Sequence, residues 1–284
     1  MMKSKNQICL VVLLFCLCIS ACSKPNFSKD CSPTSNNPDL QLIRASANGC
    51  LDVTKYSLQN GANINSAYNS GFTALMGATQ NGYSDIVKLL VNKGADLTLK
   101  TKNGNSALYY ASYNGRIEIF EFLLNRGGNI NETNLRGETL LIWPSHFGYT
   151  KVMDLIIKHG VNIDKPSNDG NTPLIHAARN GRINAIKTLL TRNADINSKT
   201  NSGDSALIAT TYRGYTSCVK LLIENGAFIN EQNNHGETAL MIASKKQHYE
   251  IVKLLLDNGA DVSIRNYSGQ TAESLTELEC NNKI

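Results

Sequence analysis

The sequence predicts an all-α fold in which short helical repeats stack into a solenoid. A glycine recurs every 33 residues from Gly71 to Gly269, without an insertion. A threonine or serine lies two residues after each of these glycines, and a leucine lies four residues after every one except Gly269. A fixed period of this length is typical of repeat arrays, whose units bury their apolar faces only by stacking.

The repeat is most complete in residues 236–262. Gly236–Ser244 predicts a short first helix, and Tyr249–Asp257 predicts a second, amphipathic helix that ends near Gly259. Thr172-Pro173-Leu174 contains a further part of the same pattern. The glycine-x-threonine opening, the Glu-Ile-Val-x-Leu-Leu helix and the Gly-Ala-Asp-Val ending resemble the ankyrin-repeat family. The resemblance covers about residues 37 to 280. It implies helix-turn-helix units joined by β-hairpin loops, and a scaffold that binds proteins.

Residues 1–21 are expected to be a lipoprotein signal peptide. Lys3 and Lys5 precede an apolar run, residues 8–19, that is too short to span a bilayer. The sequence Ile-Ser-Ala-Cys at residues 19–22 resembles the bacterial lipobox, which implies that Cys22 is lipidated and becomes the new N-terminus. The alternative is an ordinary signal peptide with an incidental cysteine. By analogy with lipoprotein sorting, Ser23 argues against retention at the inner membrane. The predicted location is therefore the periplasm, with the lipid in the inner leaflet of the outer membrane.

Residues 22–37 are expected to form the lipidated cysteine and a disordered tether, since serine, proline, asparagine and lysine dominate there. Residues 38–65 predict an N-terminal capping repeat, because they lack the glycine-hydroxyl opening. Cys31 in the tether and Cys50 in this repeat could form a disulfide in an oxidising compartment. Two free thiols are the alternative, since sequence does not set connectivity. Cys218 is expected to be a small buried hydrophobic residue, and Cys280 has no assigned role.

Residues 66–263 predict six full repeats. Their second helices are expected to end at a glycine, or at Asn193 in repeat five, because a left-handed backbone is needed there. Residues 264–284 predict a partial C-terminal capping repeat. Glu273, Glu277 and Glu279 are expected to give its helix a polar outer face.

The composition gives no indication of nucleic-acid binding or catalysis. The formal charge is +5, and removal of residues 1–21, with two lysines and no acid, leaves 26 bases against 23 acids, or +3. This balance is too weak to predict a nucleic-acid partner. None of the five histidines has the spacing of a metal site, and no phosphate-binding loop or nucleophile turn is present. We therefore expect no enzyme activity, cofactor, metal or small-molecule substrate.

The candidate binding residues are those that vary within the fixed repeat. In the ankyrin family, hairpin tips and the exposed ends of the first helices contact the partner, and their positions transfer directly onto this chain. The middle of this surface is aromatic and its C-terminal half is basic. The predicted contact residues are Tyr110, Tyr113, Trp143, His146, Phe147, Arg179, Tyr212, Arg213, Lys245 and Lys246 on the helices, and Lys102, Arg136, Asp169 and His235 at the tips.

Repeat four departs most from the family pattern. Trp143-Pro144 replaces an apolar-alanine pair, and a proline inside a helix removes a backbone hydrogen bond at a cost of about 3 kcal/mol. One interpretation is that the short helix tolerates a kink and Trp143 is a core residue. The other is that the kink opens a central notch with Trp143 and Phe147 as anchors, since aromatic residues dominate interface energetics.

These features together suggest a lipid-anchored binding protein. Among bacterial lipoproteins with ankyrin repeats, this chain resembles the immunity type, which implies that it binds and inhibits a protein partner, a lipase-type toxic effector such as a phospholipase. The membrane would be contacted through the lipid anchor only. The alternative is a structural or assembly partner that protects a resident envelope enzyme. An effector that acts on a host is disfavoured by the anchor.

Overall fold

The structure is a computed structural model that describes Cys31 and residues 35–275. Within these residues, fourteen helices of six or more residues follow one another as seven pairs, which confirms the all-α solenoid. The pairs are α1 (Pro38–Asn48) and α2 (Leu51–Gln59), α3 (Ala74–Asn81) and α4 (Ser84–Asn92), α5 (Ala107–Tyr113) and α6 (Ile117–Asn125), α7 (Ile142–Phe147) and α8 (Thr150–Lys158), α9 (Pro173–Arg179) and α10 (Ile183–Leu190), α11 (Ala206–Arg213) and α12 (Thr216–Glu224), and α13 (Ala239–Lys246) and α14 (Tyr249–Asp257). A single helical turn, residues 272–275, follows them.

The repeated hydroxyl caps the first helix of most repeats. In five repeats its oxygen accepts the backbone N–H three residues later, which satisfies one of the unpaired amides of the first turn. These caps are Thr73, Ser106, Thr172, Ser205 and Thr238. The repeated hydroxyl residue therefore marks the start of these helices in the sequence because its side chain caps them.

One hydrophobic core runs along the array, from Leu42 in α1 to Leu275 after α14. Each first helix packs against the first helix of the next repeat, and each second helix does the same. Ile86, Val87 and Leu90 of α4 are buried between these layers. Because every repeat buries its apolar face on a neighbour, the helices depend on stacking rather than on their own length.

The hairpin loops form a hydrogen-bonded ladder along one edge. A backbone N–H at each tip donates to a carbonyl of the preceding tip, over 2.8–3.2 Å. The donor and acceptor pairs are Lys102 to Ser70, Leu135 to Asn103, Asn168 to Arg136, Asn201 to Asp169, Asn234 to Ser202 and Tyr267 to His235. The side-chain amides of Asn168, Asn201 and Asn234 add a second set of bonds to the preceding tips. The ladder holds the tip residues in register.

The turns confirm the predicted left-handed residues and add one that was not predicted. Asn193 has φ 60°, and the glycines at the equivalent position have positive φ. Gln247 also has a positive φ, 59°, at the end of α13. Every equivalent position from Gly49 to Gly214 is a glycine with positive φ. A left-handed conformation is costly for a residue with a Cβ atom, so Gln247 is the unfavourable member of this series.

Helix α7 of repeat four starts late, which places Pro144 in its first turn. It begins at Ile142, whereas the position equivalent to the other helix starts is Leu140. Pro144 is therefore the third residue of the helix, and amides of the first turn have no intrahelical partner. The delay moves the start away from the usual cap, and the hydroxyl oxygen of Thr139 is buried without a hydrogen-bond partner.

At the N-terminal end, the side chain of Asn37 accepts the N–H groups of Asp39 and Leu40 and caps α1, with Pro38 as its first residue. A disulfide joins Cys31 to Cys50, with the Cα atoms 5.6 Å apart.

Cys22, residues 1–30, Glu277, Glu279 and Cys280 lie outside the described residues. Across the described part of the chain, the helices are too short or too polar to cross a membrane.

Candidate protein-interaction surface

The first helices of repeats three to five bring five aromatic side chains together. We call Tyr113, Trp143, His146, Phe147 and His176 the aromatic cluster. The ring centroids of Tyr113 and Trp143 are 4.7 Å apart, those of Trp143 and Phe147 are 5.7 Å apart, and those of His146 and His176 are 5.8 Å apart. All five side chains are partly exposed. The cluster therefore combines close ring packing with an accessible surface.

The repeat places these rings side by side. Tyr113 and His146 are 33 residues apart, as are Trp143 and His176, so each pair occupies equivalent positions on stacked helices. Trp143 and Phe147 lie four residues apart and share one face of α7. Tyr110 is different. It is only 6% exposed and packs against Phe72 with ring centroids 5.5 Å apart, so its prediction as a surface residue is corrected to a core residue.

A buried carboxylate lies beneath the cluster. Glu138 is 7% exposed, and its Oε2 atom accepts the hydroxyl of Tyr109 at 2.7 Å, the amide of Asn134 at 2.6 Å and the indole N–H of Trp143 at 3.0 Å. All three groups donate to the same carboxyl oxygen. The sequence prediction missed Glu138 and His176. The only sequence feature that could have pointed to Glu138 is its position between the repeated glycine, Gly137, and the repeated hydroxyl residue that follows.

The two histidines of the cluster are neutral near pH 7. Burial, with nearby Arg182 and Arg179, lowers the pKa of His146 to about 4, although Glu138 opposes this. Burial, followed by His146 and Arg179, lowers the pKa of His176 to about 3. The side-chain amide of Asn180 donates to Nδ1 of His146 at 3.0 Å, which requires an unprotonated nitrogen there. The cluster is thus an uncharged aromatic surface above one carboxylate.

The predicted basic row is only partly basic. Lys245 lies 3.2 Å from the carboxylate of Glu237, so its charge is paired. Burial lowers the pKa of Arg179, and the charges of Asp204 and Asp169 oppose this shift. Arg213 and Lys246 are exposed, and the Lys246 ammonium lies 4.3 Å from the ring centroid of Tyr212. This region therefore contains acidic as well as basic side chains rather than a uniformly positive face.

The remaining predicted residues lie at exposed positions on the hairpin tips. These are Lys102, Arg136, Asp169 and His235. The ladder places them along one edge, next to the first helices. The aromatic cluster, the charged helix ends and the tips form one surface, which we call the first-helix surface.

The described residues contain no group of three or more histidine, cysteine, aspartate or glutamate side chains arranged to hold a metal ion. Cys218 is buried in α12, as predicted, and burial raises the pKa of its thiol. A thiol with a raised pKa is a weak nucleophile, so the position suits packing.

Comparison with known families identifies the fold. A family model described as ankyrin repeats (3 copies) matches residues 42–134, 126–200 and 189–266. The chain belongs to the ankyrin-repeat family. No curated protein matches the chain. Ankyrin repeats are generally protein–protein interaction modules and are typically non-catalytic.

Proposed function

We propose that this protein is a non-catalytic scaffold that binds one protein partner on its first-helix surface. The aromatic cluster carries this proposal. Five rings from three repeats lie in contact, yet each remains partly exposed. Aromatic side chains bury a large area with little loss of conformational entropy, and they dominate the energetics of interface centres. The charged tips and helix ends form a polar rim around this centre.

We further propose that the scaffold is held in the periplasm by lipid on Cys22, with the anchor in the outer membrane. The order of basic residues, apolar run and cysteine in residues 3–22 supports this location. The disulfide between Cys31 and Cys50 is consistent with it, because disulfides persist in oxidising compartments. A short tether between anchor and array would keep the binding surface near the membrane.

The specific role that we propose is immunity: the array binds and blocks a toxic effector, such as a phospholipase, that reaches the periplasm. An effector of this kind acts at the membrane, where a tethered inhibitor is concentrated. A protective partner of a resident envelope enzyme would use the same surface. The two roles differ in what binding does to the activity of the partner.

A pull-down tests the proposal. Residues 23–284, expressed in the periplasm without Cys22, serve as bait for periplasmic extracts and for the products of neighbouring genes. We expect one stoichiometric partner, which is retained by wild type and lost with Phe147→Ala. A hydrolase that is inactivated on binding supports immunity, whereas a resident enzyme that stays active overturns it in favour of the protective role.

The matched control for Phe147→Ala is Tyr249→Ala. Tyr249 is 65% exposed at the start of a second helix, outside the first-helix surface. If both variants retain the partner equally, or Tyr249→Ala alone loses it, then the partner does not use the aromatic cluster and the proposed binding surface is wrong.

A further inference from the structure

The buried carboxylate of Glu138 has no basic neighbour, unlike two other glutamates near the hairpin loops. Among the described residues, no lysine or arginine nitrogen lies within 4.0 Å of it. Glu132, also buried, has the Lys100 ammonium at 3.7 Å. Glu237, which occupies the position of Glu138 three repeats later, has Lys245 at 3.2 Å. Glu138 is therefore a buried anion held by neutral donors alone.

Neutral donors replace the lost hydration of a carboxylate, but they do not cancel its charge. The remaining field acts on whatever covers the aromatic cluster. A partner that excludes water lowers the local dielectric, and the field of the carboxylate then becomes stronger. The charges of Arg182 and Arg179 oppose that of Glu138 at His146, so a cation is favoured beside Trp143, whose indole N–H contacts the carboxylate.

The rings above Glu138 favour the same ligand. The edge of the Trp143 indole faces the carboxylate, since its N–H donates to Oε2. The Tyr113 ring is tilted by 52° against the indole, whereas the Phe147 ring stacks on the indole at 27°. The π faces of such rings attract ammonium and guanidinium groups, more strongly when water is excluded.

We propose that the aromatic cluster receives a basic side chain, an arginine or lysine of the protein partner, whose charge compensates Glu138. This inference rests on the proposed protein-binding function and specifies the chemistry at its centre. Arg182 and Arg179 do not fill this role. The Arg182 Nε atom donates to the carbonyl of His146 at 3.1 Å, and Arg179 lies beside Asp204 and Asp169.

The single tryptophan of the chain provides a direct test, because Trp143 lies at the proposed contact. The probe is acetyl-Gly-Arg-Gly-amide, and its matched neutral control is the citrulline peptide of the same shape. Titration of the full mature chain should change the Trp143 fluorescence saturably with the arginine peptide. The citrulline peptide should bind at least about tenfold more weakly, as expected for a site that recognises the charge.

Two buried glutamates give the matched variants. Glu138→Gln should weaken the arginine peptide about tenfold, and Glu132→Gln should leave its affinity unchanged, since Lys100 already pairs with Glu132. Circular dichroism and thermal melting check the fold of each variant. If Glu138→Gln does not fold, then Phe147→Leu, which removes a ring face and leaves the carboxylate in place, should weaken the peptide instead.

Equal affinity for the two peptides, or an unchanged affinity with folded Glu138→Gln, would overturn the inference. The proposed function is tested separately, by whether the wild-type array captures a protein partner. Conversely, peptide binding without a captured protein partner would support the cation site and remove the proposed function.

Discussion

The hydroxyl of Ser112 donates a hydrogen bond to the backbone carbonyl of Leu140. In a regular helix this carbonyl would accept the N–H of residue 144, but residue 144 is proline and has none. Ser112 belongs to α5 of the preceding repeat and is 1% exposed. The neighbouring repeat therefore supplies the donor that Pro144 lacks, and the unusual first helix of repeat four is stable because of stacking.

Ser112→Ala should lower the free energy of unfolding by about 1–3 kcal/mol, because it leaves a buried carbonyl without this donor. Urea unfolding followed by circular dichroism measures the change. Ser145→Ala is the matched control. Its hydroxyl is also buried and bonds to the carbonyl of Leu141, but that carbonyl keeps the backbone N–H of Ser145. Equal losses in the two variants would contradict the compensating role of Ser112.

Much of this architecture could be predicted from the sequence, and the reasons are physical. The hydroxyl cap and the buried leucine recur because each repeat packs on its neighbours in the same way, so their period predicts the helices. The approach of Trp143 to His176, with ring centroids 6.1 Å apart, could be expected, since the two residues occupy equivalent positions on stacked helices. The hydrogen bond from Ser112 to the carbonyl of Leu140, which replaces the N–H that Pro144 lacks, could not be predicted, because it depends on the late start of α7. The burial of Glu138 under Trp143 depends on side-chain directions that the period does not set.

Acid should destabilise the array through the two histidines of the aromatic cluster. Their pKa values are about 4 and about 3 in the folded protein, below the ordinary value of 6.5. A lowered histidine pKa means that the unfolded chain binds protons first, so stability is complete above pH 6.5 and is lost as pH falls toward 4. At pH 5 the loss is up to about 2 kcal/mol for each histidine.

Unfolding free energies measured from pH 7.5 to pH 5 test this expectation. His176→Gln should flatten the pH dependence, whereas His159→Gln, at an exposed position on the end of α8, should not. An unchanged slope in His176→Gln would show that other groups cause the acid sensitivity.

Reduction of the disulfide between Cys31 and Cys50 should destabilise the N-terminal repeat. The bridge joins residues 19 positions apart, and closing a loop of this size stabilises a fold by about 3 kcal/mol at most. Thermal melts with and without dithiothreitol measure the effect. The effect of dithiothreitol should disappear in Cys31→Ser and persist in Cys218→Ala, whose thiol is buried and free. A reductant effect that survives Cys31→Ser would have another origin.

Gln247→Gly should raise the free energy of unfolding by about 1 kcal/mol, because glycine adopts the left-handed conformation at the end of α13 without a steric cost. Gln247→Ala keeps the Cβ atom and should give no gain. Chemical denaturation of both variants distinguishes removal of this strain from the loss of the glutamine side chain. A gain of equal size in both would refute the strain explanation.

The central claim, that a protein partner binds the aromatic cluster, is tested most directly by calorimetric titration of the captured partner into wild type, Phe147→Ala and Tyr249→Ala. Loss of a residue at an interface centre costs about 2 kcal/mol or more, so Phe147→Ala should raise the Kd by about thirtyfold. Tyr249→Ala should leave the Kd unchanged. A folded Phe147→Ala variant that binds with the wild-type Kd would contradict the claim.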